Sequence, residues 1–254
     1  MGLLIEEKQV VIPGQELAEG MDYLPAQGTY RDGDKIFANQ LGIISLSGRL
    51  VKIIPLSGRY IPKEGDFVIG KITNVNFSSW SVDIGYAYEA QLSLKEATSD
   101  FIERGDDLTQ YFNFGDVVMT KIINVTKSKA IDLTMKGPGL RKLVNGRIIT
   151  ITPAKVPRVI GKQGSMITLI KDLTGCRISV GQNGLIWIAG EAQNNEDLAI
   201  KAIAVIDKEA HTEGLTDRIK EYLDAERQKL GMGPAPSSHV DNQVDNSTQE
   251  ENFQ

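Results

Sequence analysis

The sequence contains very few of the residues that build disulfide frameworks and zinc sites. Cys176 is the only cysteine among 254 residues, and His211 and His239 are the only histidines. A single cysteine cannot form an intrachain disulfide, and these three side chains do not fill the tetrahedral ligand set of an ordinary structural zinc site. We therefore expect neither a disulfide framework nor a bound metal.

Long hydrophobic runs are missing as well. Near the start, only Leu3-Leu4-Ile5 precedes Glu6-Glu7, which is too short for the apolar region of a signal peptide. No run approaches the ~20 apolar residues that a membrane-spanning helix needs. We expect a soluble, cytoplasmic protein that makes no membrane contact.

The chain also lacks the overall basic excess that is typical of nucleic-acid-binding proteins. Its net charge is −5, with 28 basic and 33 acidic residues. The charges are not spread evenly, because residues 138–180 hold eight basic side chains and only one acidic side chain, Asp172. The basic ones are Arg141, Lys142, Arg147, Lys155, Arg158, Lys162, Lys171 and Arg177. This local excess predicts a targeted contact with a polyanion on an otherwise acidic protein.

The centre of this basic region is the loop Gly161-Lys162-Gln163-Gly164. Two glycines three residues apart let the backbone turn sharply and approach another chain closely, since neither has a Cβ. A sugar-phosphate backbone fits such a loop, because phosphate oxygens can accept hydrogen bonds from the N–H groups of the next helix. The loop resembles that of a KH domain, which holds about four nucleotides of a single strand. The candidate RNA-binding residues are Arg158, Gly161, Lys162, Gln163, Gly164 and Ser165.

The residues around this loop support the KH assignment. We predict a strand over 146–152 and a short helix over 153–160 before the loop. After it, apolar residues recur at helical spacing (Met166, Ile167, Ile170 and Leu173). Two short strands around the turn 181–184 and a longer helix follow. This order resembles the α+β type I KH fold over residues 138–230.

Residues 64–137 contain five strand-like runs, with a helical and acidic insertion after the third. The runs are 66–75, 80–84, 88–92, 117–125 and 131–135. Their number and spacing favour a five-stranded OB barrel. The segments Gly-Asp-Phe-Val-Ile-Gly-Lys-Ile, Ser-Val-Asp-Ile-Gly and Gly-Asp-Val-Val resemble the S1 family of RNA-binding domains.

An OB surface binds single strands by stacking bases on aromatic rings beside basic side chains. The candidates here are Phe77, Trp80, Tyr86 and Tyr88, together with Lys71, Lys121, Lys127 and Lys129. Because side chains of a small barrel alternate between inside and outside, we expect roughly two of the four aromatics to be structural. Phe77, in a turn, is the first choice for stacking, and Tyr88 is the second. Lys127 and Lys129 fit ordinary exposed lysines equally well.

Residues 1–63 are predicted to form a small all-β unit. Short apolar runs alternate with turn signals such as Pro13-Gly14 and Asp32-Gly33. The tetrapeptide Leu-Ser-Gly-Arg occurs at 46–49 and again at 56–59, which we interpret as two turns that place Arg49 and Arg59 at comparable edges. Solvated turn residues are an equally good interpretation of both. So small a unit buries little core, so we expect it to contact a neighbouring domain or another subunit.

Beyond these three domains lies a segment of different composition. Residues 231–254 are rich in Asn, Gln, Ser and Pro and carry four acidic and no basic side chains. A segment with so few apolar residues cannot bury enough surface to order itself. We predict a disordered acidic tail.

Three patterns suggest catalysis, and we discount each of them. The run 65–72 has the glycine and lysine spacing of a phosphate-binding loop, but Ile72 stands where a hydroxyl is needed and the run is an apolar strand. Asp83, Asp116 and Asp132 form no Asp-x-Asp pair of a two-metal nuclease. The two histidines lie near the end of a helix and in the tail, which does not suit a Ser-His-Asp triad. We predict no catalytic residue, no metal site and no cofactor.

A small β-domain followed by S1 and KH domains resembles the RNA-binding cap subunits of the archaeal exosome. Val11-Ile12-Pro13-Gly14 and Gly28-Thr29-Tyr30-Arg31-Asp32-Gly33-Asp34 are similar to the N-terminal signature of that family. Eukaryotic relatives differ at the KH loop, whereas this sequence keeps the standard Gly-x-x-Gly form. Polynucleotide phosphorylases carry the same modules in the order KH then S1, after large catalytic domains that this sequence lacks.

This resemblance implies a non-catalytic partner of single-stranded RNA. Three copies would sit on one face of a hexameric ring of RNase PH-like catalytic subunits and thread RNA into the central pore for 3′-to-5′ degradation. The N-terminal domain would contact the ring, the S1 barrels would line the pore and the KH domains would lie at the periphery. A second type of cap protein could share the ring.

Two other interpretations of the function remain open from the sequence. A free-standing regulator could use the same RNA-binding modules without a ring, and it would run as a monomer. A metal-dependent RNase would degrade RNA in a magnesium-dependent manner, and its activity would be lost on removal of one carboxylate.

Overall fold

The computed structural model describes residues 2–98, 107–210 and 214–229. The chain forms three units, and the first of them is built from two small sheets. The strands of this unit are β1 (Val10–Val11), β2 (Glu16–Glu19), β3 (Leu24–Pro25), β4 (Thr29–Asp32), β5 (Lys35–Ala38), β6 (Gly42–Ser47) and β7 (Leu50–Pro55). One sheet has the order β1-β6-β7-β3 and the other β2-β5-β4. Leu17, Ile36, Ile44 and Val51 contribute to the core between them. The all-β prediction is confirmed.

The two Leu-Ser-Gly-Arg copies differ in structure, so the expectation of comparable edges was wrong. Arg49 lies in the tight turn between β6 and β7, where Gly48 adopts a φ of +61°. Arg59 lies in the segment 56–63, which forms neither strand nor helix. Shortly after it, Tyr60 is only 8% exposed and packs in the core of the second unit. The first copy becomes a hairpin turn because the strands on either side of it pair with each other.

The second unit is a closed barrel of five strands. These are β8 (Phe67–Val75), β9 (Ser79–Asp83), β10 (Ala90–Ser93), β11 (Val117–Val125) and β12 (Ile131–Thr134). Neighbours pair in the order β12-β10-β9-β8-β11, and pairing of β12 with β11 closes the barrel. Helix α1 (Leu94–Ala97) follows β10, and most of the predicted acidic insertion (99–106) lies outside the described residues. The OB prediction is confirmed.

A short strand that was assigned by sequence to the KH domain extends the barrel sheet. This strand, β13 (Arg141–Leu143), pairs antiparallel with β11, so that Leu143 lies opposite Val117. The chain thus leaves the barrel only after residue 143, and the KH domain begins with the next strand.

The third unit has the order of elements predicted for a KH domain. It contains β14 (Arg147–Thr150), α2 (Val156–Ile160), α3 (Ser165–Thr174), β15 (Arg177–Val180), β16 (Leu185–Ala189) and α4 (Gln193–Glu209). The antiparallel sheet has the order β14-β16-β15. A further helix that the sequence analysis did not identify, α5 (Leu215–Lys229), adds Ile219 and Leu223 to the core. The KH prediction is confirmed.

The turn between β15 and β16 docks on the barrel. Asn183 is 7% exposed, and its Nδ2 donates to the carbonyl oxygens of Ile69, at 2.7 Å, and Ile84, at 2.9 Å. Its Oδ1 accepts a hydrogen bond from the N–H of Ile69 at 3.3 Å. Beside it, the backbone of Gln182 donates to the carbonyl of Phe67 at 2.8 Å. One face of the KH sheet is therefore held against β8.

An apolar cluster completes this S1–KH contact. It contains Ile69 and Met119 from the barrel, Leu143 from β13, and Trp187 and Ala189 from β16. Ile69 points away from the interior of the barrel, so an isolated S1 domain would expose it. Burial of this cluster makes the two domains one packed unit.

No described helix is both long enough and apolar enough to cross a membrane. The predicted tail 231–254, His211 and His239 lie outside the described residues.

Candidate nucleic-acid interface

The Gly-x-x-Gly loop connects helices α2 and α3. Helix α2 ends at Ile160, and Gly161 follows with a φ of +76°. A Cβ at Gly161 would lie 2.6 Å from the backbone nitrogen of Met166, so only glycine fits there. Gly164 has a φ of +81°, which favours glycine although the space around it is open. These two positions bring the first turn of α3 directly behind the loop.

Polar side chains of the loop face solvent. Arg158, Lys162, Gln163 and Ser165 are exposed, while Gly161 and Gly164 are half-buried. The N–H of Gly164 donates to the carbonyl of Gly161 at 3.3 Å, and the N–H of Ser165 donates to the carbonyl of Lys162, so the loop is held by its own backbone hydrogen bonds. The loop thus offers exposed polar side chains and the positive charge of Lys162 on one surface, which suit a phosphate backbone.

The basic residues of 138–180 divide into two groups. Three form ion pairs: Lys142 with Asp116 at 2.5 Å, Arg147 with Asp197 at 2.5 Å, and Lys155 with Asp207 at 3.4 Å. The other five form no ion pair with any residue that the structure describes, and all five are exposed. They are Arg141, Arg158, Lys162, Lys171 and Arg177. The second group supplies positive charge that is free to meet an anion.

Three of these unpaired cations gather where the barrel meets the KH sheet. The guanidinium carbons of Arg141 and Arg177 lie 5.7 and 6.0 Å from the ring centre of Trp187. Although Lys171 reaches solvent, partial desolvation of its side chain and the nearby charge of Arg141 lower its pKa. The sequence shows that Arg141, Lys171 and Arg177 are basic but not that they lie close together. Arg141 reaches Trp187 because β13 pairs with β11 of the barrel sheet.

The barrel aromatics predicted to stack on bases do not all reach the surface. Trp80 is fully buried, its Nε1 donates to the carbonyl of Phe112 at 2.9 Å, and its ring packs edge-on against the ring of Phe112. The assignment of Trp80 to the RNA surface was therefore wrong, since its position on β9 points inward. Tyr86 is half-buried against the barrel core. Phe77 is fully exposed and Tyr88 is 58% exposed.

The exposed aromatics form two groups at opposite ends of β9. Phe77 lies in the loop before β9 and Tyr88 in the connection after it, and a strand of five residues spans about 15 Å. Phe114 is 71% exposed and was missed by sequence reasoning. The N–H of Gly115 donates to the carbonyl of Ile72 at 2.9 Å, so Phe114 lies beside the half of β8 that leads to Phe77. Its signal in the sequence is an aromatic residue inside the turn Asn113-Phe114-Gly115-Asp116.

The predicted barrel lysines occupy different environments. Lys71 is exposed on β8, while Lys121 is half-buried with its Nζ 5.5 Å from the ring centre of Phe67. Lys127 and Lys129 are exposed in the turn between β11 and β12. Phe77 lies in the β8–β9 loop, and Lys127 and Lys129 lie in the β11–β12 loop. These two loops border the nucleic-acid surface of OB folds in general.

The three aspartates considered for a nuclease each have a structural contact. Asp83 accepts from the N–H of Gly85 at 2.8 Å, Asp116 pairs with Lys142, and Asp132 accepts from Asn124 at 2.9 Å. Within residues 2–98, 107–210 and 214–229, no group of three or more His, Cys, Asp or Glu side chains could hold a metal ion.

Comparisons with known families agree with this architecture. Residues 8–57 match the family model described as the exosome RNA binding protein RRP4 N-terminal domain. Residues 59–104 match the RRP4 S1 domain, and residues 146–204 match the KH domain.

Several curated relatives align along most of the chain. "Exosome complex component Rrp4" of Pyrococcus abyssi is 46% identical over 231 residues, which are 90% of this chain and 87% of that protein. The proteins of the same name from Thermococcus kodakarensis and Methanothermus fervidus are 45% and 44% identical, each over 87% of this chain and over 87% and 97% of their own lengths. A crystal structure described as an exosome complex RNA-binding protein superposes with a TM-score of 0.62 at 38% identity. It covers 68% of this chain and 99% of its own.

The fold and the open Gly-x-x-Gly loop define an S1–KH protein, assembled from two domain types that bind single-stranded nucleic acid. The match of its N-terminal domain and the identity to its curated relatives assign it to one family within this class of proteins. The chain belongs to the Rrp4 family of exosome components.

Proposed function

We propose that the protein is a non-catalytic RNA-binding subunit of an exosome that caps a hexameric ring of RNase PH-like subunits and guides single-stranded RNA into the pore for 3′-to-5′ degradation. The supporting observation is that one chain combines an exposed, unpaired cationic KH loop with an apolar sheet face in its N-terminal domain. The relatives that carry the exosome name align across all three domains, which supports the same assembly here.

RNA would be held by several weak contacts. The KH loop accommodates about four nucleotides, and Phe77 and Tyr88 offer exposed rings for stacking. Linking such sites raises the local concentration of a bound strand, so modest affinity at each site suffices. A duplex would bind poorly, because its bases cannot reach stacking rings.

The contact with the ring would use the outer face of the N-terminal sheet. Val10, Ile43 and Ile54 are register partners across β1, β6 and β7, and Leu24 is the register partner of Leu50 between β3 and β7. Residues that lie opposite one another share a face. Four of these five side chains are 43–52% exposed: Val10, Leu24, Leu50 and Ile54. An apolar face of this kind marks a protein contact site.

We extend the proposal to the arrangement of the particle. Three copies of this chain would occupy one face of the ring, with S1 barrels lining the pore and KH domains at the periphery, and a second type of cap protein could share positions. The assembly would work in the cytoplasm.

The assembly is tested by mixing the purified chain with RNase PH-like ring subunits and measuring the native mass. A particle with three copies per hexamer is the expected result. A chain that stays monomeric beside an intact ring would favour a free-standing RNA-binding regulator. Magnesium-dependent loss of RNA by the isolated chain would point to an RNase.

The RNA contact is tested by Lys162→Asp. Lys162 is exposed and forms no ion pair with the described residues, so the change alters charge and not packing. We expect about tenfold weaker binding of a single-stranded oligoribonucleotide, measured by fluorescence anisotropy. The slope of log K against log salt concentration should become shallower by about 1, the contribution of one phosphate contact. Ring assembly should be unaffected.

Lys201→Asp is the matched control, since Lys201 is also exposed but lies on α4, near Glu226 of α5. It should bind RNA as the unmodified chain does. Equal effects of the two substitutions would remove the KH loop from the proposal.

A further inference from the structure

A cavity lies where the three domains meet. Its volume is about 430 Å³, and its walls come from the end of β7, the connecting segment 57–63, the start of α2 and the turn between β15 and β16. This volume is within the range of pockets that bind small ligands. The sequence analysis did not predict it, because no single domain forms it.

The walls combine apolar surface with hydrogen-bond donors. Ile54 and Ile61 are about half exposed, and with Pro153 and Pro157 they supply the apolar part. Ring faces of nucleobases pack on such aliphatic surfaces in pockets that receive unstacked bases.

The polar part of the lining is dominated by donors. Arg59 and Lys63 are exposed and form no ion pair with the residues that the structure describes. Gln182 accepts a hydrogen bond from the N–H of Phe67 through Oε1 at 2.8 Å, which fixes its amide, and its Nε2 has no hydrogen-bond partner among the described residues. The one carboxylate in the lining, Asp66, already accepts a hydrogen bond from the hydroxyl of Tyr60 at 2.6 Å. The charge of the site favours an anionic occupant.

The cavity lies close to the KH loop. Pro157 lines it, and α2 runs from there to Gly161 at a rise of 1.5 Å per residue, a distance of about 6 Å. A strand held by the Gly-x-x-Gly loop therefore needs to extend only a short way to reach it.

We propose that this cavity receives one nucleotide of the RNA strand held by the KH loop, with its base against Ile61 and Pro157 and its phosphate at Arg59 and Lys63. The inference rests on the proposed RNA-binding function and adds a site that includes the N-terminal domain. RNA binding would then couple the three domains.

The repeated tetrapeptide provides a matched pair of variants for the test. Arg59→Glu reverses charge in the cavity, and Arg49→Glu makes the same change in the same Leu-Ser-Gly-Arg sequence, but on the β6–β7 turn. Both are made in the full chain. Binding is measured with an oligoribonucleotide of about four nucleotides, the length that a KH loop holds, and with one extended by a few nucleotides.

We expect Arg59→Glu to weaken binding of the longer oligonucleotide about tenfold and that of the shorter one less than twofold. Arg49→Glu should change neither by more than twofold. A second variant, Ile61→Trp, fills the cavity without changing its charge. It should abolish the gain in affinity that comes with the added nucleotides, while its melting temperature verifies folding.

Three results would overturn the inference. They are equal effects of Arg59→Glu and Arg49→Glu, an unchanged length dependence in folded Ile61→Trp, and a loss of ring association by Arg59→Glu without any loss of RNA affinity. The last would identify the cavity as a protein contact. The proposed function fails on a different result, namely absence of RNA binding by the unmodified chain or no effect of Lys162→Asp.

Discussion

Replacing Leu24 and Leu50 together by glutamate is expected to weaken association with the ring about 100-fold or more. The two side chains are register partners on the outer face of the N-terminal sheet and are 51% and 43% exposed, so neither contributes to the core. At a protein interface, a central apolar side chain can contribute ~2 kcal/mol or more, and a carboxylate buried without a partner adds a further penalty. Sedimentation of mixtures with the ring measures the change.

A third exposed aliphatic residue serves as the control. Val144, between β13 and β14, is 54% exposed and lies outside the N-terminal sheet. Val144→Glu should join the ring with unchanged affinity, and all the variants should bind RNA alike. A double variant that enters the ring as readily as the unmodified chain would refute the assignment of this face.

Asn183→Ala is expected to lower the free energy of unfolding of the S1–KH unit by ~3–5 kcal/mol. The substitution removes three hydrogen bonds and leaves the buried carbonyls of Ile69 and Ile84 and the N–H of Ile69 without partners. Each buried polar group left unsatisfied costs about 1–3 kcal/mol. Trp187 lies in this interface and Trp80 in the barrel core, so tryptophan fluorescence during urea or thermal unfolding follows the S1–KH unit as a whole.

Asn194→Ala is the control for this prediction, because Asn194 is exposed in the first turn of α4. It should change the stability by less than about 0.5 kcal/mol. If Asn183→Ala melts within a degree or two of the unmodified chain, the turn does not hold the two domains together.

The docked turn has a consequence for RNA binding. Since Asn183 and Gln182 attach the KH hairpin to β8, the KH loop and the S1 surface keep a fixed relation to each other. A strand that spans both surfaces then meets sites that are already positioned, which reduces the entropy lost on binding. We therefore expect Asn183→Ala also to weaken RNA binding at temperatures where it still folds.

Local patterns in the sequence predicted most elements of the fold. The glycines at 161 and 164 define the loop because their positive φ angles suit no other residue as well. Alternation and β-branched residues identified the barrel strands within a residue or two. Short and atypical elements were missed: β13 is three residues long and α5 has a polar composition.

The positions of single side chains were harder to predict. An aromatic residue on a barrel strand faces inward or outward according to a register that shifts by one residue at each bulge, and β8 and β9 pair through such an irregularity. Trp80 consequently lies in the core, while Phe77 and Phe114 reach solvent from loops.

The sequence by itself determined which domains are present and the shape of the KH loop, because both depend on residues that are neighbours along the chain. Only the tertiary structure decided that Arg59 lines a cavity whereas Arg49 lies in a hairpin turn. The same holds for the positions of Arg141 and Arg177 beside Trp187. It also decided that Asn183 bonds to Ile69, 114 residues away. These relations arise where separate domain surfaces meet, and the side chains on such surfaces carry no periodic signal that would mark their partners in advance.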